Sequence, residues 1–219
     1  VSESLRMSPT APLPPPLRPR ILGLVGGIAA GKSAAARLLA GPDGVVLAAD
    51  ALAHEVLDTP EVQAKVRARF GARALGPDGR VDRALVARAV FEPTHGPALR
   101  AELESWTHPL VRARIMARLD AARDAGVPRV VLDVPLLLEN DAEHGLARLC
   151  DVLVFVDVPD DERDRRAQRE RGWPRGEVFR REQAQLALDE KKRRAHHVLP
   201  NHQGLAELER AVQELLARL

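Results

Sequence analysis

The chain has 219 residues, which is enough for one sizeable hydrophobic core and a small inserted subdomain. Hydrophobic residues make up 45% of it and charged residues 29%, and the net charge of +2 gives no indication of a nucleic-acid partner. No apolar run is long enough to cross a bilayer. The single cysteine, Cys150, excludes an intrachain disulfide and a thiolate metal cluster. We therefore expect a cytoplasmic globular protein without a membrane or nucleic-acid partner.

Residues 1–19 are rich in proline and contain six prolines. Fixed φ angles and missing amide donors argue against helix or central strand there, so we expect a disordered or extended leader. The folded domain is expected to cover residues 20–219. It begins with an apolar run at 21–25, which predicts a strand, and the residues at 34–40 predict a helix.

A glycine-rich string, Gly-Gly-Ile-Ala-Ala-Gly-Lys-Ser, occupies positions 26–33 between this strand and this helix. The order of elements and the G-x-x-x-x-G-K-S spacing are typical of a phosphate-binding P-loop. The amides of such a loop converge on phosphate oxygens at a helix N-terminus, while Lys32 reaches the terminal phosphates and the Ser33 hydroxyl ligates Mg²⁺. The predicted ATP contacts of this segment are Gly26, Gly27, Ala29, Ala30, Gly31, Lys32, Ser33 and Ala34.

The next apolar run, at 45–49, predicts a short buried parallel strand that ends at Asp50. Ligands of parallel sheets bind beyond the carboxyl ends of the strands, so Asp50 is expected to face the same crevice as the P-loop. Capping of the next helix is the alternative role for this residue.

Residues 51–126 show helical periodicity and no strand pattern. They predict a helical insertion that could build the pocket of an acceptor substrate. The pair His108-Pro109 predicts a boundary between two helices, because proline lacks an amide donor and suits the first turn of a new helix.

Apolar runs at 129–134 and 152–158 predict the third and fourth strands. Asp133 lies at the end of the third, where a carboxylate holds Mg²⁺ directly or through water. Glu139 follows six residues later and either reaches the crevice or is a solvent-facing charge at a helix start. Four apolar strands that alternate with helical segments predict an α/β fold with a parallel sheet covered on both faces.

Arginine is concentrated in the segment 163–194, where twelve Lys and Arg residues stand against six Asp and Glu residues. Gly172 and Pro174 interrupt its helical pattern, so residues 159–190 are predicted to form a helical lid that closes on phosphate and excludes water. Nucleic-acid binding is the alternative function of this segment. It lacks interleaved aromatic residues, which favours a small phosphorylated ligand.

The C-terminal part predicts a short fifth strand at 198–199 and an amphipathic closing helix at 205–219. His196 and His197 precede this strand. Adjacent residues in a strand point to opposite faces, so these two side chains are not expected to share a metal ion.

Several separated motifs, taken together, resemble dephospho-CoA kinases from about residue 21 to the C-terminus. Many families share the P-loop, but the Gly-Gly-Ile form of this loop and the order of the other motifs are more specific. Those motifs are Ala49-Asp50 with Ala53-His54, Thr107-His108-Pro109-Leu110, the run from Asp133 to Glu139, Arg171-Gly172-Trp173, Gln185, Glu190-Lys191 and Asn201.

The resemblance implies transfer of the γ-phosphate of ATP to the ribose 3′-hydroxyl of dephospho-coenzyme A, with Mg²⁺ as the cofactor. It implies a three-layer P-loop NTPase fold with a parallel sheet, a helical acceptor-binding insertion at about 51–126 and a helical lid at about 159–190. A monomer or a weak homo-oligomer is expected.

The same resemblance implies the roles of individual residues. Asp50 corresponds to the general base, and Lys32 holds the β- and γ-phosphates. Arg171 is the implied lid arginine above the transferring group, with Arg169 and Arg166 as alternatives. Asn201 is an implied ATP contact, and Ser33 and Asp133 are implied metal ligands. The implied acceptor-site residues are Asp50, His54, His108, Pro135, Leu136 and Glu139.

The chain departs from the family pattern at three places. Ala48 replaces the first acid of the usual D-x-D, which leaves Asp50 alone, and Ala34 replaces a threonine after Ser33. The C-terminal pattern is altered at His196 and Pro200, which affects the expected adenine contacts.

Three other functions compete with this assignment. Another small-molecule or nucleoside-monophosphate kinase would share the P-loop and the lid. A P-loop GTPase is disfavoured because the chain has no N-K-x-D string and the residues after Asp133 do not form a D-x-x-G switch. A nucleic-acid-binding module would depend on the arginine-rich segment alone, with a salt-sensitive affinity.

Overall fold

The centre of the protein is a five-stranded sheet, seen in a computed structural model that describes residues 18–219. The sheet order is β2-β3-β1-β4-β5, and every neighbouring pair is parallel. The strands are β1 (Arg20–Gly26), β2 (Val45–Ala48), β3 (Arg129–Asp133), β4 (Val152–Asp157) and β5 (His197–Pro200). The predicted leader lies, up to residue 17, outside the described residues.

Helices cover both faces of this sheet, as the apolar character of its strands requires. On one face, α1 (Lys32–Ala40) packs on β3 and β1 and α10 (Leu205–Leu216) packs on β5, through a core that includes Leu24, Leu39 and Leu208. On the other face, α2 (Ala49–Leu57) and α5 (Gly96–Asp124) enclose a second core. The predicted three-layer α/β fold is therefore confirmed.

The helical insertion consists of α2, α3 (Pro60–Phe70), a 3₁₀ turn (Ala72–Ala74), α4 (Arg83–Val90) and α5. The predicted helix boundary at Pro109 is wrong, because the 29-residue α5 continues through this residue. A proline inside a helix costs about 3 kcal/mol. The buried stripe of Thr107, Val111, Ile115 and Leu119 continues on both sides of Pro109 and offsets that cost. No helix among residues 18–219 combines the length and apolarity needed to cross a membrane.

The remaining helices lie near the carboxyl ends of the strands. The lid segment contains α7 (Asp160–Arg171), α8 (Glu177–Glu182) and α9 (Leu188–Arg194), with Gly172 at φ 65° ending α7. Between β3 and β4 the chain forms α6 (Asp141–His144) and a 3₁₀ turn (Ala147–Leu149). Pro200 lies in β5, which is tolerated because β5 is an edge strand.

Candidate active site

The P-loop wraps around the N-terminus of α1, directly after the central strand β1. Gly26 and Gly31 have φ angles of 147° and 84°, which glycine adopts without strain. Ala29 has a φ of 59°, which costs a residue with a Cβ on the order of 1–2 kcal/mol. Strained backbone of this kind persists where the surrounding structure requires it, and it is concentrated at functional sites.

Most of the predicted ATP contacts of the loop face one cavity of about 910 Å³. Six glycine, alanine and serine positions of the loop line it together with Lys32: Gly26, Ala29, Ala30, Gly31, Ser33 and Ala34. Gly27 does not, and it lines a separate cavity of about 240 Å³ against lid residue Arg163. Its predicted ATP contact stays a prediction.

The side chain of Lys32 curls back over the P-loop. Its ammonium donates to the carbonyl of Gly27 at 2.8 Å and to that of Gly26 at 3.3 Å. Burial, and secondarily the nearby ammonium of Lys191, lower the pKa of Lys32 from 10.5 to about 8, although Asp133 and Glu182 act in the opposite direction. An anionic ligand in the cavity would raise this pKa again, since an opposite charge nearby stabilises the charged form.

Ser33 and Asp133 meet at the floor of the cavity, although 100 residues separate them in the chain. The hydroxyl of Ser33 donates to Oδ2 of Asp133 at 2.6 Å, and both residues line the cavity. The pairing follows from the topology, because β3 lies beside β1 and its carboxyl end reaches the start of α1. A hydroxyl and a carboxylate are the hard oxygen donors that Mg²⁺ prefers, so this pair fits a magnesium site.

Asp50 lies where the large cavity meets a second one of about 530 Å³. β2 ends at Ala48, so Asp50 belongs to the first turn of α2 and not to the end of the strand as predicted. Ala48 holds the capping position, so Asp50 is not the helix cap either. Asp50 still lies beside the carboxyl edge of the sheet, and it lines both cavities. The structure therefore brings Asp50 and the P-loop to one crevice.

The second cavity lies between the insertion and the loop after β3. Pro135 and Leu136 line both cavities, and His108 from α5 lines the second. The ring of His108 stands edge-on to that of His144, with centroids 4.9 Å apart. His54 is exposed on α2 and is not among the described residues that line either cavity. Of the predicted acceptor-site residues, four thus line the second cavity, while His54 lines neither cavity and Glu139 lines only the large one.

Leu136 has a φ of 55°, a value that non-glycine residues rarely adopt. This conformation ends the extended course of β3 and places Pro135 and Leu136 at the junction of the two cavities. The sequence does not reveal it, because nothing in the residues 134–139 requires a positive φ.

Glu139 reaches the crevice and is not a solvent-facing charge. Its Oε1 accepts from the ammonium of Lys191 at 2.7 Å and from the amide of Leu186 at 3.2 Å. Lys191 is buried and also donates to Oε1 of Gln185 at 3.0 Å. This network connects the loop after β3 with the end of the lid segment. Sequence reasoning found Lys191 only as a member of a motif and assigned it no contact.

The three candidate lid arginines have different environments, although all of them line the large cavity. Arg166 is buried, pairs with Glu162 and donates to the carbonyl of Asn201 at 2.8 Å. Arg169 is exposed and pairs with its neighbour Glu170. Arg171 has its guanidinium carbon 4.9 Å from the centroid of the Trp173 ring and is close enough to Lys32 to affect its pKa. Of the three, Arg171 is the one whose charge reaches Lys32.

Asn201 supports the P-loop from behind. Its buried side-chain amide donates to the carbonyl of Ala30 at 2.9 Å, and a Cβ on Gly31 would lie 2.6 Å from the same nitrogen. Asn201 also lines the large cavity. The contact with the loop was not foreseen, since 171 residues separate Asn201 from Ala30.

Comparison with known proteins identifies the family to which these motifs belong. The dephospho-CoA kinase family model matches residues 20–207. A dephospho-CoA kinase of Deinococcus radiodurans is 41% identical over 204 residues, which cover 93% of this chain and 94% of the relative. A dephospho-CoA kinase of Corynebacterium diphtheriae is 37% identical, with 91% of this chain and 96% of the relative covered.

Solved structures share the fold. A crystal structure of a Thermus thermophilus protein superposes with a TM-score of 0.70 at 36% identity, covering 93% of this chain and 99% of that one. A dephospho-CoA kinase from Campylobacter jejuni gives a TM-score of 0.66 at 18% identity, which shows a common fold.

Proposed function

The chain belongs to the dephospho-CoA kinase family, which catalyses the ATP-dependent phosphorylation of the 3′-hydroxyl of dephospho-coenzyme A in the last step of coenzyme A biosynthesis, and we propose that Asp50 is the general base of this reaction in this chain. The observation that carries the proposal is the position of Asp50 at the junction of the two cavities. A hydroxyl bound in the cavity beside His108 would meet the nucleotide at this carboxylate.

The same proposal gives roles to the other residues, and their positions around the large cavity support it. The P-loop amides and Lys32 hold the β- and γ-phosphates, and Arg171 approaches the transferring group from the lid. Asp50 accepts the proton of the attacking hydroxyl, whose oxygen forms the new bond to the γ-phosphorus while the bond to the β-phosphate oxygen breaks. Catalysis thus consists mainly of positioning and of positive charge around the phosphoryl oxygens.

Ser33 and Asp133 would hold the magnesium ion. Their 2.6 Å contact supports this assignment, because two oxygen donors lie together beside the phosphate-binding loop. When bound, Mg²⁺ neutralises charge on the phosphate oxygens.

The oligomeric state and the cellular location of the protein belong to the same proposal. We expect the protein to act as a monomer or a weak homo-oligomer. The single cysteine supports a cytoplasmic location. Light scattering of the purified chain with and without both substrates would test the first part, and fractionation of cells that express it would test the second.

Incubation with Mg·ATP and dephospho-coenzyme A tests the reaction, with adenosine and AMP offered as competing acceptors. Coenzyme A is the expected product, and Asp50→Asn should lower kcat by about 10²- to 10⁴-fold, the range of a general base. Glu55→Gln is the matched control, because it neutralises an exposed carboxylate of the same helix. Phosphorylation of AMP alone would overturn the acceptor assignment, and an active Asp50→Asn variant would overturn the assignment of the base.

A further inference from the structure

The peptide groups of Ile28, in the P-loop, are held from both sides by the lid segment. The amide of Ile28 donates to Oε1 of Glu182 at 2.7 Å, and its carbonyl accepts from Nη1 of Arg163 at 3.4 Å. The same Nη1 donates to the same Oε1 of Glu182 at 2.5 Å. Ile28, Arg163 and Glu182 therefore form a closed ring of hydrogen bonds between the loop and helices α7 and α8.

This ring is buried and packs directly on the P-loop backbone. The side chain of Arg163 is 1% exposed and that of Glu182 13%. A Cβ added at Gly27 would lie 2.5 Å from Nη1 of Arg163 and 2.9 Å from Oε1 of Glu182. The glycine at this position is therefore required for the close approach of the ion pair, in addition to its place in the P-loop motif.

Burial of this pair is costly. Arg163 also pairs with Asp160 at 2.6 Å, but its Nε atom is buried without a hydrogen-bond partner among residues 18–219. An unsatisfied buried donor and a buried ion pair are expensive compared with apolar packing. Asp160 bonds Nη2 of the guanidinium and Glu182 bonds Nη1, but compensation of the buried charge does not by itself require Oε1 of Glu182 to accept from the amide of Ile28 as well. A role in holding the loop explains the contact better.

We propose that Arg163 and Glu182 are positioning residues for ATP, which act through the peptide groups of Ile28 to keep the P-loop in its phosphate-binding conformation. This inference rests on the assignment of the P-loop as the ATP site. Lys32 fixes the carbonyl of Gly27 from the cavity side, and the ion pair fixes the next residue from the opposite side. The loop amides are thus oriented before the phosphates arrive, which removes an ordering cost from binding.

Arg163 has a second role in this arrangement, since it neutralises a carboxylate next to a polyanion site. Glu182 is close enough to Lys32 to affect its pKa. Without Arg163, the carboxylate of Glu182 would repel the phosphates of ATP through a medium of low polarity. Removal of Arg163 alone should therefore weaken ATP binding more than removal of both members of the pair.

The test measures the Kd of magnesium-bound β,γ-imido-ATP by calorimetry and the KM of dephospho-coenzyme A in the same variants. Glu182→Ala should weaken analogue binding about tenfold, the effect of one charge-assisted hydrogen bond, and Glu182→Gln, which keeps an acceptor for the amide of Ile28, should weaken it less. Arg163→Met should weaken analogue binding more than either Glu182 variant does. The double variant Arg163→Met/Glu182→Gln should bind the analogue more tightly than Arg163→Met alone. The KM of the acceptor should stay within about twofold of the wild-type value.

Glu177→Gln and Glu177→Ala are matched controls, because Glu177 lies on the same helix and pairs with Arg180 and Arg181, residues outside the P-loop. Amide hydrogen exchange at Ile28 gives a second readout and should accelerate in Glu182→Ala but not in Glu177→Ala. It remains informative if Arg163→Met does not fold.

Each outcome decides between specific alternatives. A wild-type protein that does not bind the analogue would overturn the ATP-site assignment itself. A wild-type protein that binds it, with Glu182→Ala equal to Glu177→Ala, would overturn the positioning role. Equal losses for the ATP analogue and the acceptor, together with a lower unfolding midpoint, would show that the pair only stabilises the fold and would also overturn it.

Discussion

The hydroxyl of Ser33 and the carboxylate of Asp133 are joined by a hydrogen bond of 2.6 Å between Oγ and Oδ2. The first residue follows the P-loop lysine and the second ends β3, the strand next to β1 in the sheet. Two oxygen donors are thus held together, which suits Mg²⁺, an ion that keeps several of its waters and takes few ligands from the protein.

Variants of this pair should change the magnesium dependence of the reaction. Ser33→Ala removes one ligand and should raise the Mg²⁺ concentration for half-maximal activity by about tenfold, while Ser33→Thr keeps the hydroxyl and should stay near the wild type. Asp133→Asn should have the larger effect, because it removes a charge. Titration of the activity of each variant with MgCl₂ at saturating ATP measures the Mg²⁺ concentration for half-maximal activity. Equal magnesium dependence in all variants would place the metal elsewhere.

ATP binding should weaken as pH rises through 8, the pKa to which burial and the charge of Lys191 lower Lys32. Above this pH the free protein has lost the ammonium, and binding must take up a proton, so the affinity should fall by up to about tenfold per pH unit until the pKa of the bound state is reached. Calorimetry with the non-hydrolysable analogue from pH 7 to 9.5 measures the slope and the proton uptake.

Two variants separate Lys32 from other titrating groups. Lys32→Arg keeps its charge at every pH in this range, so the affinity for the analogue should no longer depend on pH, even if the affinity itself is lower. Lys191→Met removes a neighbouring positive charge, so the loss of affinity for the analogue should begin at a higher pH. An unchanged slope in Lys32→Arg would assign the pH dependence to a different group.

The ion pair between Glu139 and Lys191 should be needed for stability, because its partners are only 15% and 4% exposed. Glu139→Gln leaves a buried ammonium without its carboxylate and should lower the free energy of unfolding by about 3–5 kcal/mol. Glu139→Leu/Lys191→Met should recover most of that loss, since apolar residues of similar size can replace a buried pair.

Urea unfolding followed by circular dichroism measures these changes. Glu143→Gln serves as the control, because its carboxylate is 72% exposed and only 3.9 Å from His144, so little change is expected. A double variant as unstable as Glu139→Gln alone would indicate that the packing around the pair, and not its charge, is essential.

Arg171 should contribute more to catalysis than the neighbouring Arg169. Arg171→Met should lower kcat at least 100-fold, because it removes positive charge next to the transferring phosphoryl group. Arg169→Met is the matched control, since Arg169 is exposed and pairs with Glu170. Steady-state kinetics at saturating substrates measures both variants, and a larger loss in Arg169→Met would reverse the assignment.

The elements of the core could be predicted from local patterns. Continuous apolar runs identified the four buried strands, and the G-x-x-x-x-G-K-S string identified the loop and its helix, because both patterns depend on neighbours in the chain. The same reasoning failed at Pro109. A single proline is a strong local signal against helix, but the buried stripe of α5 on either side of it decided the outcome.

The sequence by itself therefore determined the parallel α/β core, the phosphate-binding loop and the family. Only the tertiary structure decided which side chains meet: Ser33 with Asp133, Glu139 with Lys191, and Glu182 with Ile28. These pairs are 100, 52 and 154 residues apart. A periodic pattern records the burial of one segment against the core, whereas a hydrogen bond or ion pair between distant segments depends on strand order and on the path of each loop. Strand order and loop path cannot be read from the residues of either segment alone.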